Sequence, residues 1–308
     1  MKPEFNSRRY FGITRSKGKM FELGLPEESH IAVPEGVDPA ALFPLSIGTL
    51  VDASAALNDA DDVQGGLTDD LRDDIGFAAS FFDAYLGSRF DTEVSREVTL
   101  LASASYFLGQ RPGSSLVLAR RLEADETDAL EQLMVWALQA DWRSPPKLAE
   151  HWMIGLLYEL SFHVIGHFND GAPIEPIVGL LQELRRRIYA NGTSREVVLA
   201  EVASAVIKLR LAGSAWTLLP GFSGLDGAVW TDAIRRLGFP KELWPSQKLL
   251  GKAGLFAGKS GVVQMPTSAG KTRSVEIILR SAFLADRTRV AVLVAPFRAL
   301  CHEIATSL

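Results

Sequence analysis

The chain has 308 residues, 47% hydrophobic and 22% charged, the balance of an ordinary globular protein of about two domains. No run approaches the roughly 18 apolar residues of a membrane span. The basic N-terminus has no apolar stretch behind it to make a signal peptide, and the single Cys301 excludes an internal disulfide and a cysteine-rich zinc site. The net charge of −5 hides an asymmetry: residues 241–308 hold ten Lys or Arg against four Asp or Glu, a net of +6, which leaves −11 for residues 1–240. A polyanion would be drawn to the smaller part and repelled by the larger. The expectation is a cytoplasmic protein with no membrane partner.

Residues 1–44 read as an N-terminal arm. Its segment Arg8 to Phe21 mixes basic residues with Tyr10, Phe11 and Phe21, as a strand-stacking surface would. The same aromatics would serve as a tether packed on the next domain, which is the preferred reading. From about Leu45 to Leu237 apolar residues recur at three- and four-residue spacing behind polar caps, the signature of helices. Thr68 precedes Leu71, Ile75, Ala78, Phe82 and Tyr85. Thr92 precedes Val94, Val98, Leu101 and Ser105. Thr127 precedes Leu130, Leu133, Met134, Ala137 and Leu138. Thr193-Ser-Arg-Glu196 has the form of a capping box for a helix carrying Val198, Val202, Ala205 and Leu209. Breaks are expected at Arg111-Pro-Gly113, at Ser144-Pro-Pro146 and at Pro220-Gly-Phe-Ser-Gly224, the last taken as the boundary between an α-helical accessory domain over 45–220 and a smaller domain over 221–308.

Two clusters in the helical part invite sharper readings. His163 and His167 have the i, i+4 spacing of a zinc pair, but no Glu lies between them as a metalloprotease requires, and Asp170 is the only carboxylate near in sequence. They are read as structural. Eight Asp between Asp52 and Asp74 fall at loops and helix starts, where acids favour the helix dipole, and are read as a solvated face.

Beyond Pro220 the pattern changes. A short helix is expected around Val229–Leu237, then buried strands at 261–265 and 290–295 with a helix from Gly270 to about Leu284 between them. The loop joining the first strand to that helix is Met265-Pro-Thr-Ser-Ala-Gly-Lys-Thr272. Small residues such as Ser268, Ala269 and Gly270 let backbone N–H groups point at an anion, and the helix start adds its positive end. Lys271 supplies a charge for outer phosphates, and the Thr272 hydroxyl suits a magnesium ion. Met265 stands where the general loop pattern has Gly. In Glu242-Leu-Trp-Pro-Ser-Gln247, 24 residues before Lys271, the amide of Gln247 can donate to and accept from the edge of an adenine. Ala295-Pro-Phe-Arg298, entering another helix after the second strand, suits a phosphodiester.

In this order these three segments resemble the Q motif, motif I and motif Ia of superfamily 2 helicases, and the forms Leu-Trp-Pro-Ser-Gln247, Pro266 to Thr272 and Pro296 to Leu300 look most like the Ski-two-like DExH branch. The likeness covers about 68 of the 308 residues. It implies a mostly α protein in which the helical domain is followed by the start of a P-loop α/β, RecA-like lobe. Gln247 would read adenine, Thr267, Ser268, Ala269, Gly270, Lys271 and Thr272 would hold the phosphates of ATP with its Mg, and Phe239 or Trp230 would stack near the base. Pro296, Phe297 and Arg298 would touch a DNA or RNA backbone. Members of that family continue after motif Ia to an Asp-Glu-x-His or Asp-Glu-x-Asp motif, a coupling motif and a second lobe with arginine fingers. None of these follows Arg298 in these residues, so the expectation is a truncated product, a split gene or a fragment of a longer helicase, inactive in hydrolysis by itself. The alternative is a helical protein-interaction module with a vestigial loop, a build also met in antiphage helicase systems. A small-molecule P-loop kinase is disfavoured because Gln247 and the 296–300 element would have no role in it.

Overall fold

The computed structural model describes residues 5–30, 32, 38–60, 68–88, 95–122, 128–266, 269–295, 297–298 and 302. Among them the secondary structure is helical, and the only bridge between extended residues is an isolated antiparallel one, Ser214 with Glu242. The chain divides into two compact units, residues 1–165 with 174–209 and residues 166–173 with 210–308.

The first unit begins with α1 (Phe5–Glu22), α2 (Leu42–Asp59), α3 (Asp69–Ser88), α4 (Ser95–Leu108), α5 (Pro112–Ala119) and α6 (Ala129–Gln139). Helix α3 buries Ile75, Ala78, Phe82 and Tyr85, the face that the spacing defines, with Phe81 beside them. Thr68 Oγ1 accepts from the Leu71 amide at 3.3 Å. The segment read as an arm is helix α1, and it packs along α3: Tyr10 and Phe11 lie on the cluster of Leu42, Phe81, Phe82 and Val98, with the Phe11 and Phe77 rings 5.3 Å apart. Phe21 meets the ring of His30 instead, at 4.4 Å. Thr92, Val94 and Thr127 lie outside the described residues. Asp128 caps α6, its Oδ1 accepting from the Glu131 amide at 2.9 Å.

The unit continues through α7 (Ile154–Asp170), α8 (Glu175–Asn191) and α9 (Ser194–Leu211). At the start of α9 both halves of the expected capping box are present, Glu196 N–H to Thr193 Oγ1 at 3.3 Å and Thr193 N–H to Glu196 Oε2 at 2.6 Å. The Thr193 amide first, then the side chains of His151, Thr193 and Trp152, lower the pKa of the Glu196 carboxyl to about 2 against the opposing effect of burial. Glu201 on α9 is fully buried and fastens two other helices, accepting from Asn58 Nδ2 of α2 at 2.6 Å and from Arg185 Nε of α8 at 2.8 Å. A carboxylate with no exposure is stable only with such partners.

The second unit holds the last residues of α7, then α10 (Ala215–Ser223), α11 (Gly227–Arg235), α12 (Pro245–Lys252) and α13 (Lys271–Leu284). Pro220, read as a boundary, stands inside α10, which ends at Gly224 in the left-handed conformation with φ +72°. Sequence places a proline break there because the ring removes an N–H; packing of Ala215 and Leu219 on the core keeps the helix going past it. That core is built on Trp230, Ile234, Phe239, Leu243, Leu250, Phe256 and Ile277. Trp230 is fully buried, and its Nε1–H donates to Ser223 Oγ at 3.0 Å. His167 is enclosed with Nδ1 2.8 Å from the Ala172 carbonyl and Nε2 2.9 Å from Ser214 Oγ. Both ring nitrogens are thus engaged within the fold, and burial lowers the imidazole's pKa against the opposing Ala172 bond. No group of three or more His, Cys, Asp or Glu able to hold a metal ion occurs among the described residues, and no described helix is long and apolar enough to cross a membrane.

The two segments expected as buried strands are not strands. Residues 261–266 and 290–295 have no ladder partner among the described residues, and Val262, Val290, Val292 and Val294 are exposed, while Met265 is partly buried against the core of Trp230 and Ile277. Their Val-rich composition suits a sheet interior, but a strand exists only through its neighbours. The strands that would separate these two in a RecA-like sheet have no counterpart among the described residues.

Candidate phosphate-loop site

The site grows from one antiparallel contact. Ala215 N–H donates to the Lys241 carbonyl at 2.9 Å and Leu243 N–H to the Gly213 carbonyl at 2.8 Å, which lays 241–243 against 213–215. Arg210 Nη1 closes on Glu242 Oε2 at 2.5 Å, both side chains largely enclosed. Burial lowers the pKa of nearby Lys248, with Glu242 opposing the shift. This clasp delivers the chain to Trp244, the N-cap of α12, and Pro245 at the first helical position sets the backbone for the turn. Gln247 stands at the third position, and its Oε1 accepts from the Trp244 amide at 2.8 Å. An indole has no acceptor, so only this half of a capping box operates.

On the other side, Ala269 N–H returns to the Pro266 carbonyl at 3.2 Å, and Gly270 caps α13 in the left-handed conformation, φ +79° and ψ +36°. The left-handed dihedral favours glycine here, and a Cβ at Gly270 would lie 3.0 Å from Gln247 Nε2, close enough that the carboxamide would have to shift. Two side chains of α12 hold this turn. Ser246 Oγ donates to the Ala269 carbonyl at 2.8 Å, and Gln247 Nε2 points to the Gly270 carbonyl at 3.5 Å. The same Gly270 carbonyl accepts from the Ser274 amide and from Ser274 Oγ, each at 3.0 Å. With its carbonyls pulled back by α12 and α13, the turn leaves the amides of Lys271, Thr272 and Arg273, first-turn donors without intrahelical partners, at the positive end of a 14-residue helix. Such an end accommodates an anion. Lys271 is exposed and makes no hydrogen bond or ion pair among the described residues, and Thr272 is half-buried beside it.

The far end of α13 is fixed by Arg287, whose Nη2 donates to the carbonyls of Phe256 and Ser281 at 2.8 and 3.0 Å. Midway, buried Glu276 pairs with Arg273 at 2.9 Å and Arg280 at 3.2 Å. The Arg280 guanidinium also lies 5.7 Å from the centre of the Phe239 ring.

Of the residues singled out from sequence, the structure brings together Gln247, Ala269, Gly270, Lys271 and Thr272. Phe239 does not join them: it is 4% exposed, set between Trp230 and Arg280. That placement corrects its reading as a base-stacking surface, and Trp230, wholly enclosed, is corrected with it. Apolar packing claims both because each continues the core face that Ile234 and Leu243 begin. Thr267, Ser268 and Pro296 lie outside the described residues. Phe297 and Arg298 are exposed, Phe297 by 71%, and Arg298 has no ion pair among the described residues. Gln247 is 3% exposed and its amide oxygen and nitrogen both face backbone, so reading an adenine edge would exchange one of these bonds for one to the base. Sequence reasoning passed over Ser246, Trp244 and Ser274, although Trp244 and Ser246 stand inside the quoted Leu243 to Gln247 segment; nothing in spacing alone shows that the Ser246 hydroxyl reaches the Ala269 carbonyl, 23 residues on. The chain matches no protein-family model, and no curated protein is similar to it.

Proposed function

We propose that the second unit is the nucleotide-binding part of an ATP-dependent nucleic acid helicase or translocase, built as the start of a RecA-like P-loop lobe. The observation that supports this most is the pair of bonds from Ser246 and Gln247 to the carbonyls of Ala269 and Gly270. Two sequence segments that resemble helicase motifs, far apart in the chain, meet at a turn whose geometry exposes helix-start amides. In this reading the amides of Lys271, Thr272 and Arg273 cradle the phosphates of ATP, Lys271 neutralises the outer ones, and Thr272 supplies a ligand to the Mg ion that accompanies them. The excess of positive charge over 241–308 draws the strand of nucleic acid, and Phe297 and Arg298 meet its backbone.

Binding is the measurement that tests the reading, because it depends on the loop residues themselves. Titration of a fluorescent ATP analogue with magnesium should saturate on the wild-type chain. Lys271→Ala should weaken it by about tenfold or more, the loss of one charge-assisted contact. Absence of saturable binding, or equal binding by Lys271→Ala, refutes the proposal and leaves the helical unit as the functional part.

A further inference from the structure

We infer that Trp244 is the surface on which the nucleobase stacks, and that the site therefore holds the base by its face and discriminates only weakly between bases. The inference rests on the nucleotide-binding reading of the loop and assigns within it a residue to which the sequence resemblance gives no role.

Three observations converge on Trp244. Its Cε3 lies 4.0 Å from the Cβ position of Gly270, so the indole stands against the turn that opens α13, beside the carboxamide of Gln247. It is half-buried, and among the described residues its ring meets no other aromatic ring and its N–H no acceptor. The other tryptophans are occupied: Trp136 donates to the carbonyls of Asp141 and Ser144 and packs edge-on to Trp142, Trp216 donates to the Phe168 carbonyl, Trp230 to Ser223, and Trp152 stacks on His151. A partly open, unemployed indole is an amphipathic recognition surface.

Its neighbours narrow the role. Phe239 and Trp230 are sealed in the core, which removes them as stacking surfaces. Gln247 offers little to the hydrogen-bonding edge of a base, because its oxygen caps α12 through the Trp244 amide and its nitrogen faces the Gly270 carbonyl. Gln247 is thus a positioning residue that fixes Trp244 and the loop relative to each other. Every nucleobase presents a π-face, so a site that relies on stacking tolerates all of them.

The test measures Kd by calorimetry for ATP, GTP and inorganic triphosphate, each with magnesium, on wild type, Trp244→Leu and Trp244→Phe. Leucine keeps apolar bulk while removing the π-system, and phenylalanine keeps both, so the pair separates stacking from folding. ATP and GTP should bind within about fivefold of each other. Trp244→Leu should weaken both by about tenfold, the value of one base–aromatic stack, leave triphosphate within about twofold, and be largely rescued by Trp244→Phe. Nucleotide affinity unchanged in Trp244→Leu, or a preference for ATP over GTP of about fiftyfold that Gln247→Ala abolishes, overturns this inference while the nucleotide-binding reading stands. Failure of wild type to bind either ATP or triphosphate overturns both.

Discussion

Replacing Gly270 with alanine tests the contact between α12 and the loop directly. The residue holds φ +79°, where a Cβ costs about 1–2 kcal/mol by its clash with the backbone. That Cβ also falls 3.0 Å from Gln247 Nε2, so the carboxamide must shift. The shift weakens both the 3.5 Å approach to the Gly270 carbonyl and the 2.8 Å cap of Trp244, together about 1 kcal/mol. Alanine restricts the unfolded chain, which returns about 0.5 kcal/mol. The net expectation is a loss of about 2 kcal/mol, seen as a lower urea midpoint at unchanged slope. In a Gln247→Ala background there is no carboxamide to displace, so the same substitution should cost only the dihedral part, and the difference between backgrounds, about 1 kcal/mol, is the coupling energy. Tryptophan fluorescence during urea unfolding reads the transition. A Gly270→Ala chain within about 0.5 kcal/mol of wild type would refute the argument from backbone conformation. Equal costs in the two backgrounds would refute the Gln247 contact.

Three further perturbations follow from the packing. His167 has a folded-state pKa below its unfolded value because of burial; stability is full above about pH 6.5 and falls as pH drops below it, since the unfolded chain takes up a proton there first. Urea midpoints measured between about pH 7 and pH 5 should decline in wild type and decline less in His167→Gln, and parallel profiles would contradict the assignment. Glu201→Ala removes the carboxylate shared by Arg185 and Asn58 between α2, α8 and α9, while Arg185 keeps its pair with Asp59 and Asn58 its bond to the residue 201 carbonyl, and should cost about 2–3 kcal/mol in urea unfolding; a loss under about 1 kcal/mol would show the clasp to be idle. Trp230→Phe removes the donor to Ser223 and leaves a cavity in the second core, an expected loss of about 2 kcal/mol. Ser223→Ala should reproduce only the hydrogen-bond share, about 1 kcal/mol, by the same measurement.

Much of the helical architecture was legible in the residues because its causes are local. Thr193 and Glu196 specify their capping box within four positions, Pro112 opens α5 at its first position, the Pro145-Pro146 pair lies in the non-helical stretch between α6 and α7, and the face of α3 is written in the spacing of Ile75, Ala78, Phe82 and Tyr85. The helix after the loop was legible too, because its start behind Gly270 and its apolar spacing are local. Other features depend on partners distant in sequence, and only the tertiary structure decided them. Pro220 continues a helix because its neighbours are buried, and Phe239 and Trp230 face a core although an exposed aromatic has the same spelling. The valines of 261–266 and 290–295 have strand composition without a strand, since a β-ladder is made between segments and no segment carries it alone. Composition determined which elements were possible; contact between remote residues determined which surfaces, Trp244 and the amides after Gly270 above all, were left open to a ligand.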